Sequence, residues 1–216
     1  MRKADMATGE TYSEEYYHFS RPDAGAKNLV DRVRDGYIRR QILRRVPGGR
    51  LLDVGCGLGL FLETMTAEFV TYGIDLSPFA IDTARGRLPE SHLAVGSLTD
   101  PLPFDEVFDV VTAINIFEHL DDPAAGLDAV RQRLRPGGLL VAHLPTIGNR
   151  VQAKIYAGSY AADPTHIYRP SGREFSRLAE RHGFRTVSAT FAPFVGGAMW
   201  RALPWHPAYL GVYRAV

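Results

Sequence analysis

The sequence predicts an α/β fold in which a mostly parallel sheet is covered by helices on both faces. Three observations carry that expectation. From Arg50 onward, short and uniformly apolar runs alternate with longer segments of helical period, the pattern of βαβ units buried on both sides. The first run ends in a glycine cluster, Gly55-Cys56-Gly57-Leu58-Gly59, which suits a strand turning sharply into a helix. The 216 residues, 45% apolar and 23% charged, are ordinary for one globular domain with room for a small appendage.

Taken in order, residues 51–54 read as a buried strand and 60–69 as a helix with Leu62, Met65 and Phe69 on one face. Residues 70–75 form a second strand; Ser77-Pro78 then caps a helix running to Leu88, with proline in the first turn. Residues 92–96 and 108–115 are the third and fourth strands. Asp122-Pro123 opens a helix striped by Leu127, Val130 and Leu134, which Pro136-Gly137-Gly138 ends ahead of a fifth strand over 138–145. Ser171 and Glu174 make a capping box, and Gly183 closes the helix that follows. Residues 185–194 and 208–216 read as two further strands joined by a Gly/Trp/Pro-rich connection.

Two regions escape the alternation. Residues 1–45 carry Tyr12, Tyr16, Tyr17 and Phe19 ahead of a helix over 25–45, and read as an N-terminal lid or arm before a domain spanning 46–216. Residues 146–170 form a long connection without an assigned element, of the kind that is either a functional lid or disordered. With 194–207 it is the expected ligand-facing region.

Twenty-five basic against 24 acidic side chains leave a charge of +1. That balance favours neither a nucleic-acid backbone nor an anionic membrane as partner. The lone Cys56 excludes an intrachain disulfide framework and a cysteine-based zinc cluster. The first residues lack an apolar core behind Met1–Lys3, and no stretch approaches the ~18–20 apolar residues of a membrane span. The expectation is a cytoplasmic protein, monomeric or homodimeric.

Three details of the glycine turn narrow its ligand. The spacing is G-x-G-x-G, with Leu60 where the dinucleotide fingerprint wants glycine or alanine. Asp53 sits two residues before the first glycine, where a carboxylate repels a diphosphate and suits a cation. Asp75 ends the second strand twenty residues after Gly55, placed to take ribose hydroxyls. A cationic adenosine derivative meets all three conditions better than a nicotinamide dinucleotide.

Four blocks in order, LLDVGCGLG, GIDLS, FDVVTAINIFEHLDDP and LRPGGLLV, resemble the class I S-adenosylmethionine-dependent methyltransferases. The likeness is greatest to small-molecule enzymes of the ubiquinone and menaquinone biosynthesis type. It implies a Rossmann-like, doubly wound, seven-stranded sheet whose last strand is antiparallel. It also implies roles: Gly55, Cys56 and Gly57 hold the methionyl part with Asp53 close by, Asp75 binds the ribose, and Leu76 packs on adenine. Ser97 and Leu98 border the adenine edge, and Asn115 lies near the sulfonium. Many relatives carry aspartate where Ser97 stands, so an acidic contact to the adenine amine is missing here. Tyr16 and Tyr17 either fold over the cofactor, since aromatic faces attract a sulfonium, or only pin the N-terminal arm.

Absences narrow the acceptor. The Asn/Asp-Pro-Pro-aromatic block of nucleobase amine methyltransferases is replaced by Asn115-Ile116-Phe117-Glu118, and the only cysteine lies in the cofactor turn. Residues 144–149 offer no acidic ligands such as metal-dependent catechol enzymes place there, and no metal is expected. A small molecule with a hydroxyl, or else an amine, remains. A hydroxyl needs its proton removed by a group titrating near neutrality. His166, in Asp163-Pro164-Thr165-His166, is the candidate base; the competing reading makes it a brace for its segment. His119 either lines the pocket or anchors the turn after the fourth strand. His143 reads as a satisfied core residue, and Glu118 either orients a histidine or starts a helix in solvent. Tyr156, Tyr160, Tyr168, Trp200 and Trp205 either wall an apolar acceptor pocket or form a dimer contact, which uses the same residue types. Two rivals stay open on sequence alone, an NAD(P)-dependent oxidoreductase and a cofactor-binding protein without catalysis.

Overall fold

The computed structural model describes residues 28–216; Tyr12, Tyr16, Tyr17 and Phe19 lie outside them. Asn28 caps α1 (Leu29–Leu43) by accepting the Asp31 N–H at 2.8 Å. Alternation then begins with β1 (Gly49–Val54), a single 3-10 turn (Leu62–Met65), β2 (Phe69–Asp75), α2 (Pro78–Arg87), β3 (His92–Val95) and β4 (Phe108–Ile114). A second 3-10 turn (Phe117–His119), α3 (Pro123–Arg133), β5 (Leu134–Pro145), α4 (Arg150–Ser159) and α5 (Gly172–Arg181) follow. The chain closes with β6 (Phe184–Phe191), the short α6 (Ala198–Ala202) and β7 (Ala208–Ala215).

The sheet has seven strands in the order β3-β2-β1-β4-β5-β7-β6. Strands β1 to β5 are parallel, and β7 runs antiparallel to both β5 and β6. The expected architecture is therefore the observed one. Strand order reverses between β1 and β4, so a crevice opens beyond their carboxyl ends, where open α/β sheets take ligands.

Period-two alternation splits the buried residues into two layers. One face of the sheet packs Leu140, Ala142, Leu144 and Tyr213 against Leu127, Val130 and Phe175 of α3 and α5. The other packs Leu139, Val141 and Val212 against Ile38 and Ile42 of α1 and Ile81 and Ala84 of α2. Helix α1 is thus built into the second layer.

Three local expectations are corrected. The helix read over 60–69 is one 3-10 turn, because Leu58, Leu60, Phe61, Leu62 and Met65 are all buried. Burying adjacent residues on every side needs a tight turn, since a one-striped helix would expose some of them. Pro136-Gly137-Gly138 does not stop α3 ahead of a strand; β5 starts at Leu134 and carries these residues within it. The pairing with β4 shifts register there, from Phe108↔Leu134 to Val110↔Leu139, and Gly137 takes φ 75. The connection 146–170 contains a helix, α4, capped by Asn149 through the Gln152 N–H. Asn149 with Gln152 three residues on is itself a helix-start signature, so that signal was present in the sequence.

Phe175 is fully buried and meets Phe117 and Tyr213 edge-on at 5.0 and 5.9 Å between ring centroids. Phe175→Ala should therefore cost about 3–5 kcal/mol, read as a lower urea midpoint with an unchanged slope.

Candidate active site

The glycine turn is shaped by three left-handed residues, Gly55, Gly57 and Gly59, at φ 67, 52 and 76. A Cβ on Gly55 would overlap the Ile116 side chain, and one on Gly59 would lie 2.8 Å from Leu88 Cδ1. The turn from β1 thus touches the turn after β4, and the crevice between them narrows to glycine width.

Two buried carboxylates flank this turn. Asp75 accepts the Gly57 N–H on Oδ2 and the Ser77 N–H on Oδ1, each at 2.9 Å, and is 8% exposed. Asp53 is 3% exposed and accepts the Thr112 hydroxyl at 2.5 Å. Thr112, on the neighbouring strand β4, is a supporting residue that sequence reasoning did not find. Burial raises the Cys56 thiol well above its usual range, and the fields of Asp53 and Asp75 raise it further. The turn therefore sits in a negative potential, suited to a cation and hostile to a diphosphate.

Other predicted residues lie along the same edge. Leu76 follows Asp75 and is half-buried; Ser97 follows β3, with its Oγ bonded to Thr99. Leu98 is buried in the core layer beneath. Asn115 follows β4 with φ 58. Tyr16 lies outside the described residues.

A second cluster stands on the far side of the β4 turn. Ile167 and Tyr168 donate their backbone N–H groups to the Glu118 carbonyl at 2.9 and 3.0 Å, docking the 163–168 segment. That docking brings the His119 and His166 rings to 4.8 Å, edge to face. The Thr165 hydroxyl donates to Asp163, so its oxygen accepts from His119 Nδ1–H at 2.8 Å. His119 Nε2 consequently carries the lone pair. His166 Nδ1 lies 3.3 Å from the Tyr156 hydroxyl, and its Nε2 lies 3.8 Å from Asp163 Oδ2.

Burial controls the charge of this cluster. It lowers His119 to about 4, helped by His166 and opposed by Asp163 and Thr165. It also lowers His166, with Asp163 opposing. Both rings are neutral at pH 7. Burial pushes Asp163 up, but hydrogen bonds from Thr165, helped by the fields of the two histidines, outweigh it and hold that carboxyl below its ordinary range. Glu118 is 0% exposed, and neither carboxylate oxygen has a hydrogen-bond partner. Burial raises it to about 8. The solvated helix-start reading of Glu118 is corrected: the second 3-10 turn buries both Phe117 and Glu118.

Among the described residues, Glu118, His119 and His166 form one group with potential ligand atoms within 4.8 Å of one another. A cation there would first have to displace the Glu118 proton at neutral pH.

The remaining candidates divide. Tyr156 and Tyr160 sit beside His166, whereas Tyr168 packs on the core and Trp200 is exposed. His206 joins the cluster's rim through Tyr160, Phe194 and Trp205. Arg34 of α1 is buried between Asp31 and Asp35 and acts electrostatically on Tyr160 and His143. Sequence reasoning missed it, because nothing local marks which face of α1 is covered. His143 is only half satisfied: Nδ1 is bonded and Nε2 is buried without a partner.

The Glu118 shift has a signed consequence. Its folded value of about 8 stands above the ordinary 4.5, so the stability it contributes is complete below pH 4.5 and drains as pH rises through 8. His119 works oppositely, between 6.5 and about 4, and is silent above 6.5. From about pH 6.5 to 8.5, the melting temperature of Glu118→Gln should rise relative to the unsubstituted protein. A constant difference across that window in thermal scans would place the carboxyl in contact with water.

Among known proteins, a family model described as a methyltransferase domain matches residues 30–189. The ubiquinone biosynthesis O-methyltransferase of Coxiella burnetii is 29% identical over 179 residues, covering 76% of this chain and 74% of the relative. That of Cereibacter sphaeroides is 42% identical over 101 residues, 44% of this chain and 40% of the relative. The magnesium protoporphyrin IX methyltransferase of Synechocystis, solved with S-adenosylhomocysteine, superposes with TM-score 0.70 at 11% identity over 96% of this chain and 98% of that one, a likeness of fold. The oxidoreductase alternative falls with the family match. No helix among the described residues is long and apolar enough to cross a membrane. The chain belongs to the methyltransferase-domain family and is a class I S-adenosylmethionine-dependent methyltransferase.

Proposed function

We propose that the protein methylates a hydroxyl group of a small metabolite, with His166 as the base. The observation that carries this reading is a buried neutral imidazole whose Nε2 lies 3.8 Å from the Asp163 carboxylate, on a segment docked beside the β4 turn. Relatives named as ubiquinone biosynthesis O-methyltransferases support oxygen over nitrogen as the receiving atom.

The residues present fit the methyl donor. A left-handed glycine turn flanked by two buried carboxylates suits a cationic sulfur nucleoside in charge. In this reading Gly55, Cys56 and Gly57 hold the methionyl part beside Asp53, and Asp75 adds the ribose hydroxyls to its two backbone bonds. Leu76, Ser97 and Leu98 line the adenine side, and Asn115 faces the reacting end. When bound, S-adenosylmethionine supplies an electrophilic methyl group on a positively charged sulfur.

The protein's own work is to position the acceptor, exclude water and take a proton. The acceptor O–H bond breaks as the bare ring nitrogen of neutral His166 takes the proton, and Asp163 offsets the charge that appears on the ring. His119 is the less apt base, since burial takes it down to about 4, but through Thr165 it holds the Asp163–His166 segment in place. Arg34 of helix α1 acts electrostatically on Tyr160, whose ring lies beside His166.

His166→Ala should lower kcat by about 10²–10⁴-fold while leaving S-adenosylmethionine affinity unchanged in calorimetry. Turnover is read by mass spectrometry on a panel of simple phenols, aliphatic alcohols and amines. Methylated amines alone would move the reading to nitrogen, and undiminished turnover would remove His166 as base. Because the ring titrates below 6.5, kcat should stay level from neutrality downward and fall only on the acid side of 6.5. Asp75→Ala should weaken S-adenosylmethionine binding by about 1–3 kcal/mol; unchanged affinity would take Asp75 out of the site.

A further inference from the structure

Asn115 is held by a single residue of the neighbouring strand. Its backbone N–H donates to the His143 carbonyl at 2.8 Å. Its side-chain Oδ1 lies 2.7 Å from Nδ1 of the same histidine. The residue needs such support, because φ 58 lies in the left-handed region that side chains other than glycine's seldom occupy, asparagine being among the more tolerant. The β4–β5 register, Ile114↔His143, places the histidine one step from this turn.

The proton in that bond is located by chemistry. A carboxamide oxygen only accepts, so Nδ1 carries the hydrogen. Burial first, then the positive fields of Arg34 and His206, keep the ring neutral, well below its ordinary range. A neutral ring protonated on Nδ1 has a bare lone pair on Nε2, and that atom is buried without a partner. Leu139, Leu140, Val141, Ala142 and Leu144 of the same strand are apolar and buried. Packing alone would be better served by leucine at 143, which leaves no acceptor stranded. The histidine is explained by what its other nitrogen does.

We infer that His143 is a positioning residue, tying the oxygen of the Asn115 carboxamide to β5 so that its NH₂ end faces the crevice. The inference rests on the reading of Asn115 as facing the reacting end. The adjacent Ile116 against Gly55 sets this turn on the glycine turn, and the Asn115 NH₂ has no protein partner among the described residues. An N–H pair is complementary to an oxygen lone pair and repels a sulfonium. Asn115 therefore serves an oxygen, either the acceptor's or that of the methionyl carboxylate.

Three variants of the full chain test this: Asn115→Ala, His143→Leu and the pair together. Binding is measured with S-adenosylmethionine and turnover with the best hydroxyl acceptor from the panel above. Each single change should lower kcat/KM at least about tenfold, the scale of one lost hydrogen bond, and the double variant should be no worse than Asn115→Ala. A weaker S-adenosylmethionine Kd assigns the oxygen to the methionyl carboxylate; a raised acceptor KM assigns it to the acceptor. His143→Asn, which keeps a donor near the Nδ1 position, should restore activity even if His143→Leu folds poorly. If Asn115→Ala is harmful and a folded His143→Leu is not, or if the two effects multiply, the inference fails while the role of Asn115 stands. If Asn115→Ala is harmless, the role of Asn115 fails first. Independently of any acceptor, ¹⁵N imidazole spectra should show Nδ1 protonated and Nε2 bare, and the opposite tautomer overturns the inference.

Discussion

The structure depends on a carboxylate that works on the backbone before it can work on a ligand. Asp75 takes the N–H groups of Gly57 and Ser77 at 2.9 Å, so the end of β2 is bonded to the turn that leaves β1. Two such bonds let a charge stay buried at a sheet edge, where an unpaired one could not. They also hold the three left-handed glycines in a fixed curve. With Asp53 braced by Thr112 on the other side, the turn lies in a negative field whose shape and sign are set before any ligand arrives. That preorganisation selects a cationic nucleoside over a dinucleotide.

Desolvation governs the opposite wall of the site. Four histidines, His119, His143, His166 and His206, are all lowered by burial, so the region beyond β4 and β5 is rich in polar atoms yet nearly free of mobile charge. Each ring has one nitrogen tied to the protein: His119 through Thr165, His143 through Asn115, His166 through Tyr156, His206 through the Ala208 amide. The tie fixes the tautomer or orientation of the ring. Asp163 distinguishes His166 among them, its Oδ2 lying 3.8 Å from Nε2. Glu118 completes the arrangement as a neutral acid, uncharged because water cannot reach it.

Much of this was legible in the chain. The strand–glycine–strand–aspartate spacing around residues 53–75 is local, and backbone geometry carries it directly into the turn. The parallel core followed from uniformly apolar runs, and Ser171 with Glu174 capped α5 through both of their reciprocal bonds. Readings slipped where burial comes from several directions at once. The segment 60–69 carried a helical stripe and folds as a single 3-10 turn; Pro136-Gly137-Gly138 looked like a terminator and is an irregularity inside β5. In both places neighbouring strands, not the segment's own propensity, set the backbone.

The sequence by itself determined the alternation of strands and helices, the glycine turn, the two flanking carboxylates and hence the sign of the ligand's charge, because these are local patterns read within about twenty residues. Only the tertiary structure decided that Glu118 is dry, that Asp163, His119 and His166 converge, and that His143 grips Asn115. Those facts depend on solvent exclusion and on contacts between residues 28 to 47 positions apart in the chain, and desolvation is a property of an enclosing surface that no linear spacing encodes.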